Sequence, residues 1–170
     1  MQPPLRTLRI DRNHELYQQA LDLRERILLR SVGLDAARFI SEYPGYEERF
    51  EHFVSVLDHP TGQRVVGVVC LLPPDSPDEE GLRLGKLMQM AVDEQLQHQG
   101  IGRGLVAALE YRTFGELELD GLFCHAQMPA VAFYERLGWS RDGEVFQEAG
   151  VDHVRMMFVP SRVGTRPNAT

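Results

Sequence analysis

Only two of the 170 residues are cysteine, Cys70 and Cys124, and both stand in apolar, strand-like runs. A disulfide framework needs more thiols than this, so buried free cysteines in a reducing compartment are expected. No apolar run approaches the length of a membrane span, and the N-terminal residues carry no short apolar segment of the secretory type. The expectation is a cytoplasmic protein without a membrane partner. Basic charge is also scarce: 18 lysines and arginines stand against 25 acids, for a net charge of −7. Nonspecific nucleic-acid binding needs a basic face, which this balance does not supply. The acidity serves solubility first and suits a basic or amine substrate second. Histidine, cysteine and acidic residues do not recur at metal-ligand spacing, so no metal site is expected.

What is present fits one soluble domain. The chain is long enough to bury a core, and its 43% hydrophobic and 25% charged content is ordinary for a globular protein. Residues 1–160 read as a single domain and residues 161–170 as a flexible tail. Leu5 to Ile10 alternates as a first strand, with Asp11 or Asn13 placed to cap the helix that follows. That helix carries Leu16, Ala20, Leu23 and Ile27 as an apolar stripe and ends at Ser31-Val32-Gly33; Asp35 can cap a shorter one through Phe39 or Ile40. Phe53 to Leu57 and Val65 to Leu72 form a hairpin pattern around Asp58-His59-Pro60-Thr61-Gly62. An acidic loop, Pro73 to Gly81, leads to a strand over Arg83 to Val92. Leu105 to Tyr111 is helical, Leu122 to Ala126 is a short apolar strand, and Val131 to Leu137 is helical before Gly138. Trp139 starts another strand, and Val151 to Val159 is the last. A meander followed by strand–helix–strand–helix alternation predicts an α/β fold: a mixed sheet, antiparallel first and then carrying a parallel β-α-β crossover.

The most informative segment is Gln97-His98-Gln99-Gly100-Ile101-Gly102-Arg103-Gly104. Glycines at every second position leave backbone bare for close approach, and the unpaired amides of a helix N-terminus favour an anion such as a pyrophosphate. A P-loop would place Lys-Ser or Lys-Thr after the last glycine, where Leu105 stands. A dinucleotide fingerprint requires Gly-x-Gly-x-x-Gly directly after the first strand of a βαβ unit; this segment departs from it in both spacing and placement.

Gln97-x-x-Gly100-x-Gly102 resembles the Gln/Arg-x-x-Gly-x-Gly/Ala motif of the GNAT superfamily of N-acetyltransferases. Ala130-Val131-Ala132-Phe133-Tyr134-Glu135-Arg136-Leu137-Gly138-Trp139 is similar to that superfamily's Ala-x-x-Phe-Tyr-Glu-Lys-Leu-Gly-Phe segment, in the expected order. The segments around Cys124–Gln127 and Gly143–His153 also look like a bacterial GNAT subgroup of poorly defined substrate. The resemblance is specific over Leu84 to Phe158 and rests on element order before that.

The resemblance implies that the strands over Arg83–Val92 and Leu122–Ala126 are parallel and splay apart, with acetyl-CoA lying in the opening. Backbone groups of Met90, Ala91 and Val92 would pair with its pantetheine amides. The amides of Gln97, His98, Gln99, Gly100, Ile101, Gly102, Arg103 and Gly104 would hold its pyrophosphate, and the Arg103 side chain can add a charged contact or stay solvated. Tyr134 matches the tyrosine that protonates the departing thiolate, although an aromatic packed beside Phe133 fits the same position. Gln127 stands where relatives carry an asparagine that bonds the pantetheine arm. Many relatives place a glutamate base on the strand before the glycine turn, but Lys86-Leu87-Met88-Gln89-Met90-Ala91-Val92 contains no acid. His125 interrupts an apolar strand and is the candidate base, with His153 in a position to lie beside it; a structural histidine is the competing role for each. Tyr43, Tyr46 and Glu47 fall in the region that would face the amine, or in a surface loop. The implied reaction transfers acetyl from acetyl-CoA to a primary amine by direct attack. The rival is an acyl-CoA-binding sensor or interaction module without turnover. A homodimer is compatible with either.

Overall fold

The structure, a computed structural model, describes residues 5–162, so the expected tail lies outside the described residues from Val163 onward; Pro160–Arg162 forms a single 3-10 turn. Strands β1 (Leu5–Ile10), β2 (Glu51–His59), β3 (Gly62–Leu72) and β4 (Leu84–Val92) form an antiparallel meander. Strand β5 (Gly121–Gln127) pairs parallel to β4 after the crossover helix α4 (Ile101–Glu110). The short strands β6 (Ser140–Arg141) and β7 (Phe146–Glu148) both pair with β8 (Val151–Phe158), which closes antiparallel on β5. The order across the sheet is β1-β2-β3-β4-β5-β8-β6. The mixed α/β sheet, meander first and parallel crossover second, is the expected architecture.

Alternation along the strands sends successive side chains to opposite faces. Val65 and Val68 meet Ile10, Leu16, Ala20, Leu23, Val54 and Ala91 under helix α1 (Tyr17–Arg24). Val66 and Val69 meet Ile101, Leu105, Leu109, Leu122, Val131 and Tyr134 under α4 and helix α5 (Val131–Arg136). Ile101, Leu105 and Leu109 recur at i, i+4 and i+8 and are all buried. Each stabilises the fold by roughly 1.5–3 kcal/mol of removed apolar surface. Gly67 allows the close fit of α4 on β3: a Cβ there would stand 2.7 Å from Ile101 Cγ2 and 3.0 Å from Leu105 Cδ1. On the α1 side, β5 and β8 are more open, and Phe123, His125 and Arg155 are only half-buried.

Several boundaries differ from the sequence reading. Helix α4 begins at Ile101 rather than Leu105, so Ile101–Gly104 are its first turn and the loop proper ends at Gly100. Neither Asp11 nor Asn13 caps α1. The Asp11 carboxylate accepts the Asn13 amide at 2.8 Å to close a turn, and His14 Nδ1 accepts the Leu16 amide at 3.1 Å, so the helix starts without a side-chain cap. Asp35 does cap helix α2 (Ala36–Glu42), accepting the Arg38 amide at 2.7 Å. A one-turn helix α3 (Tyr46–Arg49) stands where only a loop region was read.

Helix α3 brings Glu47 inside. Arg24 donates to both its oxygens, at 2.8 and 3.0 Å, Tyr17 donates at 2.6 Å, and both charged side chains are 1% exposed. The Arg24 guanidinium also lies 5.6 Å from the Phe39 ring centre and 5.7 Å from that of Phe50. Glu47 is therefore a buried tie between α1, α3 and the sheet, and it neither lies in a surface loop nor faces an amine.

Candidate active site

The parallel ladder between β4 and β5 has three rungs, Leu84–Gly121, Gly85–Leu122 and Lys86–Phe123, and then stops. Beyond it β4 continues to Val92 paired only with β3, while β5 continues to Gln127 paired only with β8. The strands are splayed, as expected. A bulge in β4 lies in the parted region: Cys70 pairs with Met88 and Val68 with Ala91, so Gln89 and Met90 together oppose one residue of β3. Gln89 takes a φ of 55°, and its side-chain carbonyl oxygen is buried without a hydrogen-bond partner among the described residues. Such an extra residue twists its strand away from the neighbour's path. Met90 and Val92 are half-buried and Ala91 is buried, and the edge they share facing away from β3 has no strand beside it.

The loop from Asp93 to Gly100 connects the far end of this gap to α4. Gln97 Nε2 donates to the Val92 carbonyl at 3.2 Å, so the Gln97 side chain folds the loop onto the strand end. His98 and Gly100 both take left-handed conformations, with φ of 63° and 85°. For Gly100 this carries no steric penalty, whereas an L side chain there costs roughly 1–2 kcal/mol. The first bond within α4 runs from the Gly104 amide to the Gly100 carbonyl at 3.0 Å. The amides of Ile101, Gly102 and Arg103 therefore have no acceptor within the helix. Gln97, His98, Gln99, Gly100, Arg103 and Gly104 are exposed, and a Cβ at Gly104 would meet nothing within 4 Å. Gly102 differs: a Cβ there would stand 3.3 Å from Phe133 Cζ, so its bare backbone also seats α4 against α5. Phosphate groups fit such an N-terminus because unpaired amides and the helix dipole both favour negative charge.

Tyr134 projects from α5 into the core at 4% exposure, edge-on to Phe133 and 5.1 Å from the Trp139 ring centre. Its phenol lies beside the Cys124 thiol. Burial, then the adjacent thiol, raise the phenol's pKa well above its ordinary value, so it is protonated at neutral pH. Burial likewise pushes Cys124 up to about 12, and Cys70 up to about 12. Neither thiol is poised as a nucleophile. Iodoacetamide at neutral pH is expected to leave both unmodified in the native protein and to label both within minutes in denaturant; mass spectrometry of each cysteine peptide checks this. Fast native labelling of Cys124 would contradict its burial.

On the opposite face, His125 and His153 come together through Glu148, which the sequence reading missed. Glu148 Oε1 lies 3.0 Å from His125 Nδ1 and Oε2 lies 3.7 Å from His153 Nε2. His153 Nδ1 is 2.8 Å from the Val151 carbonyl, and Phe146 stacks on His153 and stands edge-on to His125. Glu148 arrives on the β7–β8 hairpin, whose two-residue turn, Ala149-Gly150, has φ of 51° and 75°. Two positive φ values are the signature of the tightest hairpins, where Asn-Gly or Asp-Gly is the usual cue. Alanine in the first position conceals the hairpin. Gln127 is exposed at the end of β5, paired in register with His153. Among the described residues, no group of three or more His, Cys, Asp or Glu side chains could hold a metal ion, and no helix is long and apolar enough to cross a membrane.

A sheet parted between two parallel strands, a glycine loop leading from the gap into a helix, and a tyrosine beneath it define an acyltransferase of α/β architecture. Residues 37–159 match the acetyltransferase (GNAT) domain, and the chain belongs to that family. The Bacillus subtilis protein YyaT is 24% identical over 148 residues, 85% of this chain and 89% of its own length. A second Bacillus subtilis protein, assigned as an acetyltransferase, is 35% identical over 72 residues, so that this chain spans about half, 48%, of its length. Among solved structures, an acyl-CoA N-acyltransferase from Pseudomonas aeruginosa superposes with a TM-score of 0.69 at 19% identity, covering 91% of this chain and 99% of that one. The ribosomal-protein-S18-alanine N-acetyltransferase from Escherichia coli gives 0.65 at 15% identity, covering 98% and 99%. At these identities the likeness is one of fold.

Proposed function

We propose that this chain is an N-acetyltransferase that moves an acetyl group from acetyl-CoA to a primary amine by direct attack in a ternary complex, with residues 1–160 as its one domain. The parting of β4 and β5 beyond the Lys86–Phe123 rung carries the reading, because it leaves a backbone edge at Met90, Ala91 and Val92 beside an anion-favouring helix start. That edge would hold the amide arm of the donor. The loop Gln97–Gly100 and the amides of Ile101, Gly102 and Arg103 would hold its pyrophosphate, with Arg103 adding charge and Gln127 an amide contact. Bound acetyl-CoA supplies an activated thioester carbon.

A lysine-like amine is neutral only on the order of one part in a thousand near pH 7, a handicap of roughly 4 kcal/mol, so a base must take its proton. His125, oriented by Glu148, fills that role on the open face of β5. As the amine nitrogen bonds to the carbonyl carbon and the carbon–sulfur bond breaks, Tyr134 donates its phenolic proton to the leaving sulfur; the nitrogen's second proton leaves to solvent, from which the phenol is restored. Its raised pKa keeps that proton in place at neutral pH. Cys124, buried and protonated, forms no acyl intermediate.

Gly104→Glu tests the anion site. The new side chain has room, and a carboxylate in a helix's first turn favours the helix while repelling a pyrophosphate. Calorimetry is expected to show the acetyl-CoA Kd raised about tenfold or more at low salt. An unchanged Kd would remove this loop from the site. The absence of an acid from Lys86 to Val92 favours a second reading, an acyl-CoA sensor without turnover. CoA release across an amine panel separates the two, since tight donor binding with no turnover supports the sensor.

A further inference from the structure

Phe123, on the last rung before the strands part, is flanked by two cations. Lys86 Nζ lies 5.8 Å and the Arg155 guanidinium carbon 4.6 Å from its ring centre, and the His125 ring is 6.0 Å from it. The cations differ in their partners. Arg155 is neutralised by Asp142 at 2.9 Å. Lys86 has no carboxylate within 4.0 Å among the described residues, although it is half-buried. Glu148, the acid that bears on it electrostatically, is committed to the two histidines. Burial, the first cause, lowers the Lys86 pKa, and Arg155 presses it the same way, with Glu148 opposing. A half-buried ammonium beside a second cation, with nothing anionic bonded to it, is a costly arrangement unless an anion is served there.

We propose, resting on the acyl-transfer reading above, that the acceptor is a small amino acid whose amine is deprotonated at His125 and whose carboxylate is held by Lys86. Lys86, Phe123 and His125 share one face of the sheet: Lys86 and Phe123 are direct partners on adjacent strands, and His125 follows Phe123 by two residues. Phe123 is the apolar wall between the two charged ends of the acceptor. Arg155, held by Asp142, packs on that wall without competing for the carboxylate.

The test sets glycine, β-alanine and glutamate each beside its methyl ester, with acetyl-CoA and CoA release as the readout. At least one free acid is expected to exceed its ester by about 10- to 100-fold in kcat/KM, carried in KM, the range of one charge-assisted bond. Lys86→Met should bring that ratio to near one, Lys86→Arg should keep most of it, and Lys86→Glu should invert it, each variant being checked for folding by thermal melt. Equal rates for acid and ester in the wild type, or a preference that survives Lys86→Met, overturn the proposal. If acetyl-CoA binds and no amine turns over, the acetyltransferase reading fails by itself. Binding of the same pairs to the CoA complex, followed by NMR, then decides the role of Lys86. Binding of acid but not ester that is lost in Lys86→Met sustains it, and equal or absent binding overturns it.

Discussion

Tyr134→Phe is expected to lower kcat by a factor of roughly 10²–10⁴, the range in which a positioned general acid contributes. The change removes one oxygen from a ring packed between Phe133 and Trp139, so the core keeps its shape. Its structural cost is at most one polar contact beside the Cys124 thiol, about 0.5–1.5 kcal/mol. A loss confined to kcat, with the melting temperature little moved, identifies the phenol as the proton source for the leaving sulfur. Because an acid with so high a pKa gives up driving force, a donor with a more acidic leaving thiol should recover part of the loss in the variant. Turnover within twofold of wild type would reduce Tyr134 to a packing residue.

A second large effect is expected far from the chemistry. Arg24→Met leaves the Glu47 carboxylate buried beside His52 and Tyr17 without its bidentate partner, at a cost of about 3–5 kcal/mol. Adding Glu47→Leu to the same chain should restore most of the stability, since the pair is then replaced by apolar volume. Burial by itself would raise the Glu47 pKa, but the bonds from Arg24 and Tyr17 override it and hold the carboxyl below its usual range. A depressed carboxylate contributes stability above its unfolded pKa and loses it as pH falls through the folded value. Acid titration of urea stability should therefore show a drop on the acid side of the ordinary glutamate range that is absent from the double variant. A double variant as unstable as Arg24→Met would show that the pair is not acting as a unit.

Those two groups also mark what was legible in the chain. The glycine segment and the Phe133-Tyr134 helix were visible because each depends on local chemistry: a bare backbone, a helix start, an apolar stripe. The splay was expected from resemblance, whereas its physical cause, the bulge at Gln89 and Met90, leaves no trace in a run of mixed apolar residues. Glu148 was hidden for a related reason. Its partners are 23 and 5 residues away, and the turn that delivers it uses alanine where the usual cue is asparagine or aspartate. Glu47 was read as facing the amine or lying in a surface loop because a short charged helix, Tyr-Glu-Glu-Arg, gives no sign that one of its acids turns inward to an arginine 23 residues earlier.

The parted sheet has a further consequence. An ordinary open sheet has two edges, both at its rim, and proteins blunt them with charge or short strands because any extended chain can dock there. This one has two more in its middle, on β4 past Lys86 and on β5 past Phe123, set inside the sheet rather than blunted. The Lys86–Phe123 rung closes one end of the slot, so a donor held as proposed would enter to a fixed depth and be read by its backbone-like amides, much as a strand of the same chain would be.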